Sequence, residues 1–353
     1  AVLDADADSP AGRVSHLHVR SRYEDPAGLA AMARQCAAIT TEFENVPALT
    51  LSTLAASLPV APSAAAVQIC QQRAAEKRHF QACGIPCAPF ALIESEADLI
   101  AIDPGLLPGI LKTAQLGYDG KGQQAVATLA ELAPAWTALG RAPCVLEQRL
   151  ALAQELSVIV ARGSDGQWVN LPVQQNLHRA GILAVTPGPA PDVDSALAQR
   201  AIEHAGRLAA SMDYVGVLCV EFFVLADGSL VANEMAPRPH NSGHYSIDAC
   251  DVSQFELQVR ALARLPLVAP RLHSPAVMLN LLGDLWFATG AAQAVEPDWA
   301  AVLALPGTHL HLYGKAQARP GRKMGHLTIT AADAASARQC ALQAAALLGL
   351  APY

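Results

Sequence analysis

The sequence predicts an α/β (α+β) protein of two or three domains. Short apolar runs alternate with Ala-rich helical segments near the N-terminus, which is the βαβ pattern of a parallel sheet. Farther along, Asp227-Gly228 separates two apolar runs, and this dipeptide is the strongest short-range signal for a β-hairpin. The 353 residues are 52% hydrophobic and carry a net charge of −7. This composition is typical of a globular protein with a sizeable core.

The first elements form one predicted βαβ unit. Ala1–Leu3 and Ile39–Phe43 predict its two strands. Asp25-Pro26 supplies an N-cap followed by proline at the first helical position. We therefore expect a helix from this dipeptide to about Ala37, between the two strands.

Later elements follow from apolar periodicity and turn residues. The predicted helices are 63–83, 194–212, 253–264 and 332–348. The predicted strands before the hairpin are 90–93, 110–112, 144–147 and 155–162. From about residue 273 the chain alternates short strands and turns, which predicts a β-rich C-terminal segment before the last helix.

Composition excludes several functional classes. No basic stretch suggests nucleic-acid binding, and the acidic balance argues against it. The longest apolar runs are far shorter than the ~18–20 residues that span a bilayer, so we expect no membrane segment. The eight cysteines form no Cys-x-x-Cys pair, which favours reduced thiols and a cytoplasmic location.

The predicted hairpin carries one carboxylate on each strand. A two-residue turn at Asp227-Gly228 places Glu221 directly opposite Glu234, with Cβ atoms roughly 4.5–5.5 Å apart, where like charges repel. One interpretation is that both glutamates lie on an exposed polar face. The apolar neighbours favour another, a Mg²⁺ site, since Mg²⁺ binds one or two carboxylates together with phosphate oxygens.

A glycine-rich segment, KTAQLGYDGKGQ (112–123), follows a predicted strand. Its glycines allow backbone N–H groups to close on phosphate oxygens, and its lysines add positive charge. The chain has only 5 lysines against 19 arginines, so two lysines in this segment favour a point-charge role. The spacing is not that of a P-loop. The alternative is a flexible hairpin turn.

Six stretches carry a resemblance to a known family. They are TTEFENVP (40–47), GYDGKGQ (117–123), NLHRAGIL (176–183), NEMAPRPHNSGH (233–244), SQFELQVRAL (253–262) and GKAQARPGRKMGHL (314–327). They cover nearly the whole chain in family order and resemble the N5-carboxyaminoimidazole ribonucleotide synthetases, which are ATP-grasp ligases. The combination of EFENVP, PRPHNSGH and RPGRKMGH is highly specific for that family.

The resemblance implies an ATP-grasp fold with a truncated Rossmann-like N-terminal domain. Its implied domains are an N-terminal αβ domain (1–72), a small lid domain (73–146) and a large domain (147–353) whose β-rich C-terminal subdomain begins at about residue 273. The chain begins with what corresponds to the family's second strand. We therefore expect the first strand and the first helix of the family, with the glycine-rich stretch that follows the first strand, to be missing before Ala1.

The resemblance also implies roles for individual residues. Glu221 and Glu234 would be the magnesium ligands, and Gly117–Gln123 would cover the phosphates. The implied ATP-binding residues are Arg73, Lys112, Gly117, Tyr118, Asp119, Gly120, Lys121, Gly122, Gln123, Glu147, Gln148, Arg149, Leu150, Glu155, His178, Asn233 and Glu234. Those implied for the ribonucleotide are Tyr118, Asp119, Lys121, Arg238, His240, Asn241, Ser242, Lys315 and Arg322, with Glu42 or Glu44 closing the site. The residues expected to act in catalysis are Lys112, Tyr118, Asp119, Lys121, Arg238 and His240.

The activity implied by the resemblance belongs to de novo purine biosynthesis. ATP, bicarbonate and 5-aminoimidazole ribonucleotide would give ADP, phosphate and N5-carboxyaminoimidazole ribonucleotide by way of carboxyphosphate, with Mg²⁺ as the metal. A homodimer is expected from the family. The alternatives are another ATP-grasp ligase, such as a formate-dependent glycinamide ribonucleotide transformylase, or a non-catalytic nucleotide-binding relative.

Overall fold

The computed structural model describes residues 1–115, 122–287 and 293–353. The N-terminal elements are β1 (Val2–Leu3), α1 (Pro10–Val14), β2 (His18–Val19), α2 (Pro26–Gln35), α3 (Ala48–Ala55), α4 (Ala64–Gln71) and α5 (Arg73–Ala82). Strands β1 and β2 pair in parallel. The predicted helix start is confirmed, because the Asp25 side chain accepts a hydrogen bond from the backbone N–H of Ala27.

Two sequence-based predictions in this region are wrong. The strand expected at Ile39–Phe43 is reduced to one isolated parallel bridge between Ile39 and Val60, and β2 takes its place beside β1. The single helix expected over 63–83 is divided at Gln72, which has an extended backbone (φ −116°, ψ 100°). The division lets the N–H of Arg73 donate to the carbonyl of Ala114, 3.0 Å away. No glycine or proline marks this break in the sequence.

A small antiparallel sheet follows. Its elements are β3 (Phe90–Ile93), α6 (Glu96–Ile100), β4 (Gly109–Thr113), β5 (Gln123–Val126), α7 (Leu129–Ala138) and β6 (Cys144–Gln148). Within the described residues the strand order is β3-β6-β4-β5. Leu132 and Trp136 of α7 pack with Leu111 of β4 in a shared core. The strands predicted at 90–93, 110–112 and 144–147 are confirmed.

A large sheet forms the rest of the described chain. Its strands are β7 (Leu152–Arg162), β8 (Trp168–Asn170), β9 (Gln174–Arg179), β10 (Ile182–Gly188), β11 (Gly216–Leu225), β12 (Leu230–Ala236), β13 (Ala276–Leu282), β14 (Thr308–Leu312) and β15 (Lys323–Thr330). The order is β12-β11-β7-β9-β10-β13-β15-β14, with β8 beside β7. The accompanying helices are α8 (Ser195–Ser211), α9 (Ser246–Ala249), α10 (Gln254–Leu262), α11 (Trp299–Leu303) and α12 (Ala334–Leu347).

Three cores hold helices on this sheet. Helices α5 and α8 pack against β7 and β11 through residues such as Phe80 and Leu208. Helix α10 packs through Leu257, and α12 covers β13 and β15 through Ala341. Among the described residues, no helix is long and apolar enough to cross a membrane.

The hairpin β11–β12 pairs the two predicted carboxylates, by a route different from the predicted one. Glu221 lies opposite Glu234, as expected. However, Val224 pairs with Leu230, so the loop is one residue longer than the predicted two-residue turn. Gly228 has φ +80°, which is typical of the glycine in a three-residue hairpin loop. A bulge between Glu221 and Phe222 in the ladder then restores the Glu221–Glu234 pairing.

Candidate active site

A cavity of 710 Å³ lies where the N-terminal elements, the hairpin and the C-terminal strands meet. Its size is within the range of small-molecule sites. The predicted site residues that line it are Glu42, Glu44, Arg73, His178, Glu221, Glu234, Arg238, His240, Asn241 and Lys315. The structure therefore brings together residues from five separate stretches of the sequence.

The hairpin carboxylates form the acidic wall of this cavity. The side chain of Glu221 is 10% exposed and that of Glu234 is 44% exposed, toward the cavity. Burial, and then the neighbouring charge of Glu234, raise the pKa of Glu221. Burial also opposes ionisation of Glu234, but Arg73 and Lys112 lower its pKa. Arg73 Nη1 lies 3.3 Å from Glu234 Oε2. The negative charge of Glu234 is thus offset by neighbouring cations, whereas that of Glu221 is not fully offset.

Two side chains of α5, which the sequence analysis missed, hold β12 in place. Glu76 Oε1 accepts from the N–H of Met235 at 2.5 Å, and Lys77 Nζ donates to the carbonyl of Asn233 at 2.9 Å. Both side chains are buried, and burial raises the pKa of Glu76 to about 8. The only available sequence signal was a Glu-Lys pair inside an Ala-rich helix. That pattern is typical of a solvated face.

Glu147, expected beside the adenine, is part of a buried ion-pair network. Its Oε2 lies 3.2 Å from Lys77 Nζ and 3.2 Å from Lys112 Nζ. Burial opposes ionisation, but Lys112 and Lys77 lower the pKa of Glu147. The network fixes the ammonium of Lys112 at the end of β4, next to the glycine-rich segment. Buried ion pairs of this kind orient charge more reliably than they add stability.

The other residues expected at the adenine form the link from β6 to β7. Gln148 Nε2 donates to the carbonyl of Gly105, and the N–H of Arg149 donates to the carbonyl of Pro108, each at 2.9 Å. Leu150 follows them, just before β7. The backbone N–H groups of Gln148 and Arg149 are thus already bonded within the protein, and none of these residues lines the cavity described above.

Glu155 and His178 form a pair on neighbouring strands. Glu155 Oε2 lies 2.6 Å from His178 Nδ1. Burial disfavours the imidazolium, but the hydrogen bond to Glu155 and the charge of Glu221 raise the pKa of His178. A protonated His178 would place positive charge in the part of the cavity near Glu221.

The loop after the hairpin forms the opposite wall. Arg238 Nη2 lies 2.6 Å from Glu44 Oε2, which ties this loop to the N-terminal elements. His240 Nδ1 is 2.9 Å from Ser242 Oγ, and Ser242 is fully buried behind it. Burial, and then Arg238, lower the pKa of His240 well below its usual value, so it is neutral near pH 7. Ser242 therefore orients His240 rather than facing the cavity.

Asn241 offers the clearest sign of a ligand on this wall. It is 8% exposed and lines the cavity. Among the described residues, neither its Oδ1 nor its Nδ2 has a hydrogen-bond partner. Because a buried unpaired amide costs free energy, this side chain is suited to bind a polar ligand.

The C-terminal segment contributes two cations to the cavity wall, one that was expected there and one that was not. Lys315, for which the resemblance implies a role at the ribonucleotide, lines the cavity, and so does Lys323, to which the resemblance assigns no role. The structure does not bring Arg322 into the cavity wall, because its Nη1 donates to the carbonyl of Gln317 at 2.8 Å. Successive side chains of a strand point to opposite sides, so Lys323 at the start of β15 can face the cavity while Arg322 does not.

Five predicted residues lie outside the residues that the structure describes. They are Gly117, Tyr118, Asp119, Gly120 and Lys121. The same segment continues into Gly122 and Gln123, which are described. Gly122 has φ +70° and its carbonyl accepts from Thr113 N–H at 2.9 Å, and Gln123 pairs with Lys112. The glycine-rich segment therefore connects β4 to β5.

The sequence and the fold match proteins of one family. Residues 1–71 match the ribonucleotide synthetase preATP-grasp domain, residues 78–255 the ATP-grasp domain, and residues 276–340 the phosphoribosylaminoimidazole carboxylase C-terminal domain. The N5-carboxyaminoimidazole ribonucleotide synthase of Brucella melitensis is 43% identical over 93% of this chain and 88% of its own length. That of Pseudomonas aeruginosa is 40% identical over 95% of this chain and 89% of its own.

Solved structures agree with the sequence matches. The synthetase from Thermus thermophilus has a TM-score of 0.89 and 37% identity, covering 99% of this chain and 92% of its own. The synthase from Aspergillus clavatus in complex with ADP and 5-aminoimidazole ribonucleotide has a TM-score of 0.88 and 31% identity, covering 98% of this chain and 91% of its own. The chain therefore belongs to the ATP-grasp ligases, in the family of the N5-carboxyaminoimidazole ribonucleotide synthases.

Proposed function

We propose that this chain uses ATP and bicarbonate to carboxylate 5-aminoimidazole ribonucleotide, giving N5-carboxyaminoimidazole ribonucleotide in de novo purine biosynthesis. The observation that carries the proposal is the cavity itself. One wall presents Glu221 and Glu234, and the other presents Arg238, Lys315 and Lys323. The first wall suits a metal-bound nucleotide, and the second suits a substrate that carries its own phosphate.

The reaction needs ATP because bicarbonate is a poor electrophile whose leaving group would be hydroxide. A bicarbonate oxygen attacks the γ-phosphorus, the bond to the bridging oxygen breaks, and ADP leaves. The exocyclic amine of the ribonucleotide then attacks the carbonyl carbon of carboxyphosphate, which releases phosphate and an amine proton. The protein contributes mostly charge neutralisation and positioning, as in other phosphoryl transfers.

The hairpin carboxylates fit the magnesium that this chemistry requires. Two glutamates face each other across β11 and β12, and the raised pKa of Glu221 reports an excess of negative charge in a buried place. Hard carboxylate oxygens are the ligands that Mg²⁺ prefers. Glu221 and Glu234 would hold the ion there, and its positive charge would offset the negative charge that develops during transfer. Asn233 lies next to Glu234, with its carbonyl held by Lys77.

Two cations next to this wall suit the ATP phosphates. Lys112 is held by Glu147, and Arg73 is held by Glu234. Because each cation is positioned before the nucleotide arrives, little side-chain entropy remains to be lost on binding. We assign both to the β- and γ-phosphates, with the segment from Gly117 to Gln123 as their cover.

The opposite wall suits the ribonucleotide. Lys315 and Lys323 supply paired cations for its phosphate, and Asn241 supplies an amide that has no hydrogen-bond partner within residues 1–115, 122–287 and 293–353. The neutral His240 lies with Nε2 3.5 Å from Glu221 Oε1, between the two walls. We assign His240 to orient the reacting amine, because a strongly depressed pKa makes it a weak base.

We also propose that the protein works as a homodimer in the cytoplasm. The resemblance to the family supports the dimer. All eight cysteines are free thiols, as is usual for proteins of a reducing compartment. Light scattering after size exclusion would test the dimer directly.

The proposal is tested by ADP release from the purified chain with ATP, Mg²⁺ and bicarbonate, in the presence and absence of 5-aminoimidazole ribonucleotide. We expect ADP release to rise with the ribonucleotide and to depend on bicarbonate. Formate with glycinamide ribonucleotide serves as the control pair for the nearest alternative ligase. The assignment would be overturned if ADP release rose with formate and glycinamide ribonucleotide instead, or if no acceptor changed it.

A further inference from the structure

A second group of metal-binding side chains lies beside the cavity, outside the roles assigned above. One ligand atom each from Asp248, His311 and His326 lie within 4.8 Å of one another. Asp248 Oδ2 is 2.8 Å from His311 Nε2. The rings of His311 and His326 stack with centroids 4.5 Å apart and an angle of 10° between their planes. This grouping is therefore compact before any ion is bound.

The topology of the sheet creates this grouping from three distant stretches. His311 of β14 and His326 of β15 are direct cross-strand partners, and such partners share one face of the sheet. Asp248 comes from α9, which packs on β15. The pair on the sheet is rigid, and only one ligand has to be brought by a helix.

His326 has one ring nitrogen that is placed to bind an ion. Its Nδ1 is 3.0 Å from the hydroxyl of Tyr313, which leaves Nε2 as the nitrogen available to an ion. Within the described part of the chain, that Nε2 is buried without a hydrogen-bond partner, and His326 is 2% exposed.

We propose that Asp248, His311 and His326 bind one Zn²⁺ ion that fastens the C-terminal strands to α9. Two imidazoles and one carboxylate form a donor set that suits Zn²⁺ better than Mg²⁺. Tetrahedral zinc with bonds of about 2.0–2.1 Å holds its ligand atoms about 3.3 Å apart. The ring planes of His311 and His326 are only 10° apart, so the rings must turn about their side-chain torsions before both nitrogens point at one ion.

The fourth position is open to His309 or water. Residues 309 and 311 are two apart on β14, so their side chains are on the same face. His309 Nδ1 lies 3.7 Å from Asp248 Oδ1, and its side chain is 42% exposed. Tyr313 holds His326 from behind, which is the usual arrangement of an outer-shell partner that orients a metal ligand.

The site has a consequence for the segment between β14 and β15. This segment carries Lys315, and Lys323 begins β15. An ion that joins both strands to α9 would fix the ends of the segment while taking nothing from the cavity. The metal proposal does not depend on the proposed function, because its readouts are metal binding and thermal unfolding.

The test is titration of the chelator-treated full chain with Zn²⁺, and separately with Co²⁺, by calorimetry and visible absorption. We expect one ion per chain and the Co²⁺ absorption bands of a four-coordinate site. The unfolding midpoint should rise by about 4 °C when the free Zn²⁺ concentration is 100 times Kd. His311→Gln and Asp248→Asn should each weaken Zn²⁺ binding by more than the about 10–100-fold typical of an outer-shell change. Tyr313→Phe should weaken it by about 10–100-fold.

Two controls separate this site from other zinc-binding groups. His273→Gln removes an exposed histidine bonded to Ser274, and it should leave binding unchanged. Glu234→Gln removes half of the hairpin pair and should also leave it unchanged. Zn²⁺ binding that survives both His311→Gln and Asp248→Asn, or that is lost with Glu234→Gln instead, overturns the proposal, as does the absence of one-to-one binding.

Discussion

The hairpin β11–β12 and the segment 313–323 line the same cavity but hold their charges in different ways. On the hairpin, Glu221 and Glu234 are fixed by the ladder of two neighbouring strands. In the other region, Lys315 comes from a connection and Lys323 from the first position of β15. Lys315 Nζ donates to the carbonyl of Lys323 at 2.6 Å, which draws the two together.

The difference explains which substrate each region suits. Like charges held face to face cannot move apart, so the hairpin needs a cation between them. Lys315 lies on a connection and can adjust to an anion, and a sugar phosphate with up to two charges suits a pair of lysines. The rigid wall is therefore assigned to the metal nucleotide, and the adjustable wall to the ribonucleotide.

The largest expected effect follows from neutralising the rigid wall. Glu234→Gln removes a ligand charge with almost no change of volume, and kcat should fall by about 10²–10³-fold, as it does when one preorganised electrostatic group is lost. Steady-state ADP release measures it. Asp227→Asn, an exposed change in the loop of the same hairpin, is the control and should retain full activity. Near-normal turnover in Glu234→Gln would end the metal assignment.

A smaller effect should distinguish two neighbouring cations on the adjustable wall. Lys323→Ala removes a charge that lines the cavity, whereas Arg322→Ala removes one that is bonded to Gln317. A charge-assisted contact with phosphate contributes about 1.5–3 kcal/mol, so the KM for the ribonucleotide should rise roughly 10–150-fold in the first variant.

The Arg322→Ala variant is the matched control, with a rise well below that range. The KM for ATP should stay unchanged in both variants, because only binding of the other substrate is lost. If Arg322→Ala raises the KM for the ribonucleotide more than Lys323→Ala does, Arg322 contacts the ribonucleotide, as the resemblance implies.

The smallest effect concerns how the rigid wall is held. Burial raises the pKa of Glu76 from 4.5 to about 8, so the folded protein retains this proton more tightly than the unfolded chain. Stability contributed by protonated Glu76 is complete below about pH 4.5 and is lost as the pH rises to about 8. Glu76→Gln should remove this part of the pH dependence, because its neutral amide does not titrate.

The measurement is the difference in unfolding midpoint between the wild-type chain and Glu76→Gln from pH 5 to pH 9. The curve of the wild-type chain should fall relative to the variant and level off above about pH 8. Parallel curves over the whole range would show that Glu76 does not titrate there.

The same two regions show how far sequence reasoning extends. Apolar alternation and Asp227-Gly228 predicted the hairpin and the opposition of its glutamates, because strand pairing is local. The sequence did not predict the longer loop or the bulge. Each shifts the strand pairing by one residue, and the two shifts cancel at Glu221 and Glu234. Within the C-terminal segment, the motif located the basic stretch but assigned Arg322 in place of Lys323 to the cavity. Which of the two side chains faces the cavity depends on the residue at which β15 begins. That residue is set by the pairing of β15 with distant strands.

Long-range contacts account for the other differences. Glu76 and Lys77 looked like a helix surface because their partners, Met235 and Asn233, are about 160 positions away along the chain. The break of the helix at Gln72 has the same origin, in the bond between Arg73 and Ala114. Nothing in the local sequence encodes either contact, so propensity and pattern could not find them.

The central claim is that the cavity is divided between two substrates, and calorimetry on three proteins tests it most directly. Binding of ADP with Mg²⁺ and binding of 5-aminoimidazole ribonucleotide are each measured for the wild-type chain, Glu234→Gln and Lys323→Ala. We predict that Glu234→Gln loses the Mg²⁺-dependent part of ADP affinity and retains ribonucleotide affinity. We predict that Lys323→Ala loses ribonucleotide affinity and retains the affinity for ADP with Mg²⁺. Equal weakening of both ligands by either variant would contradict the division.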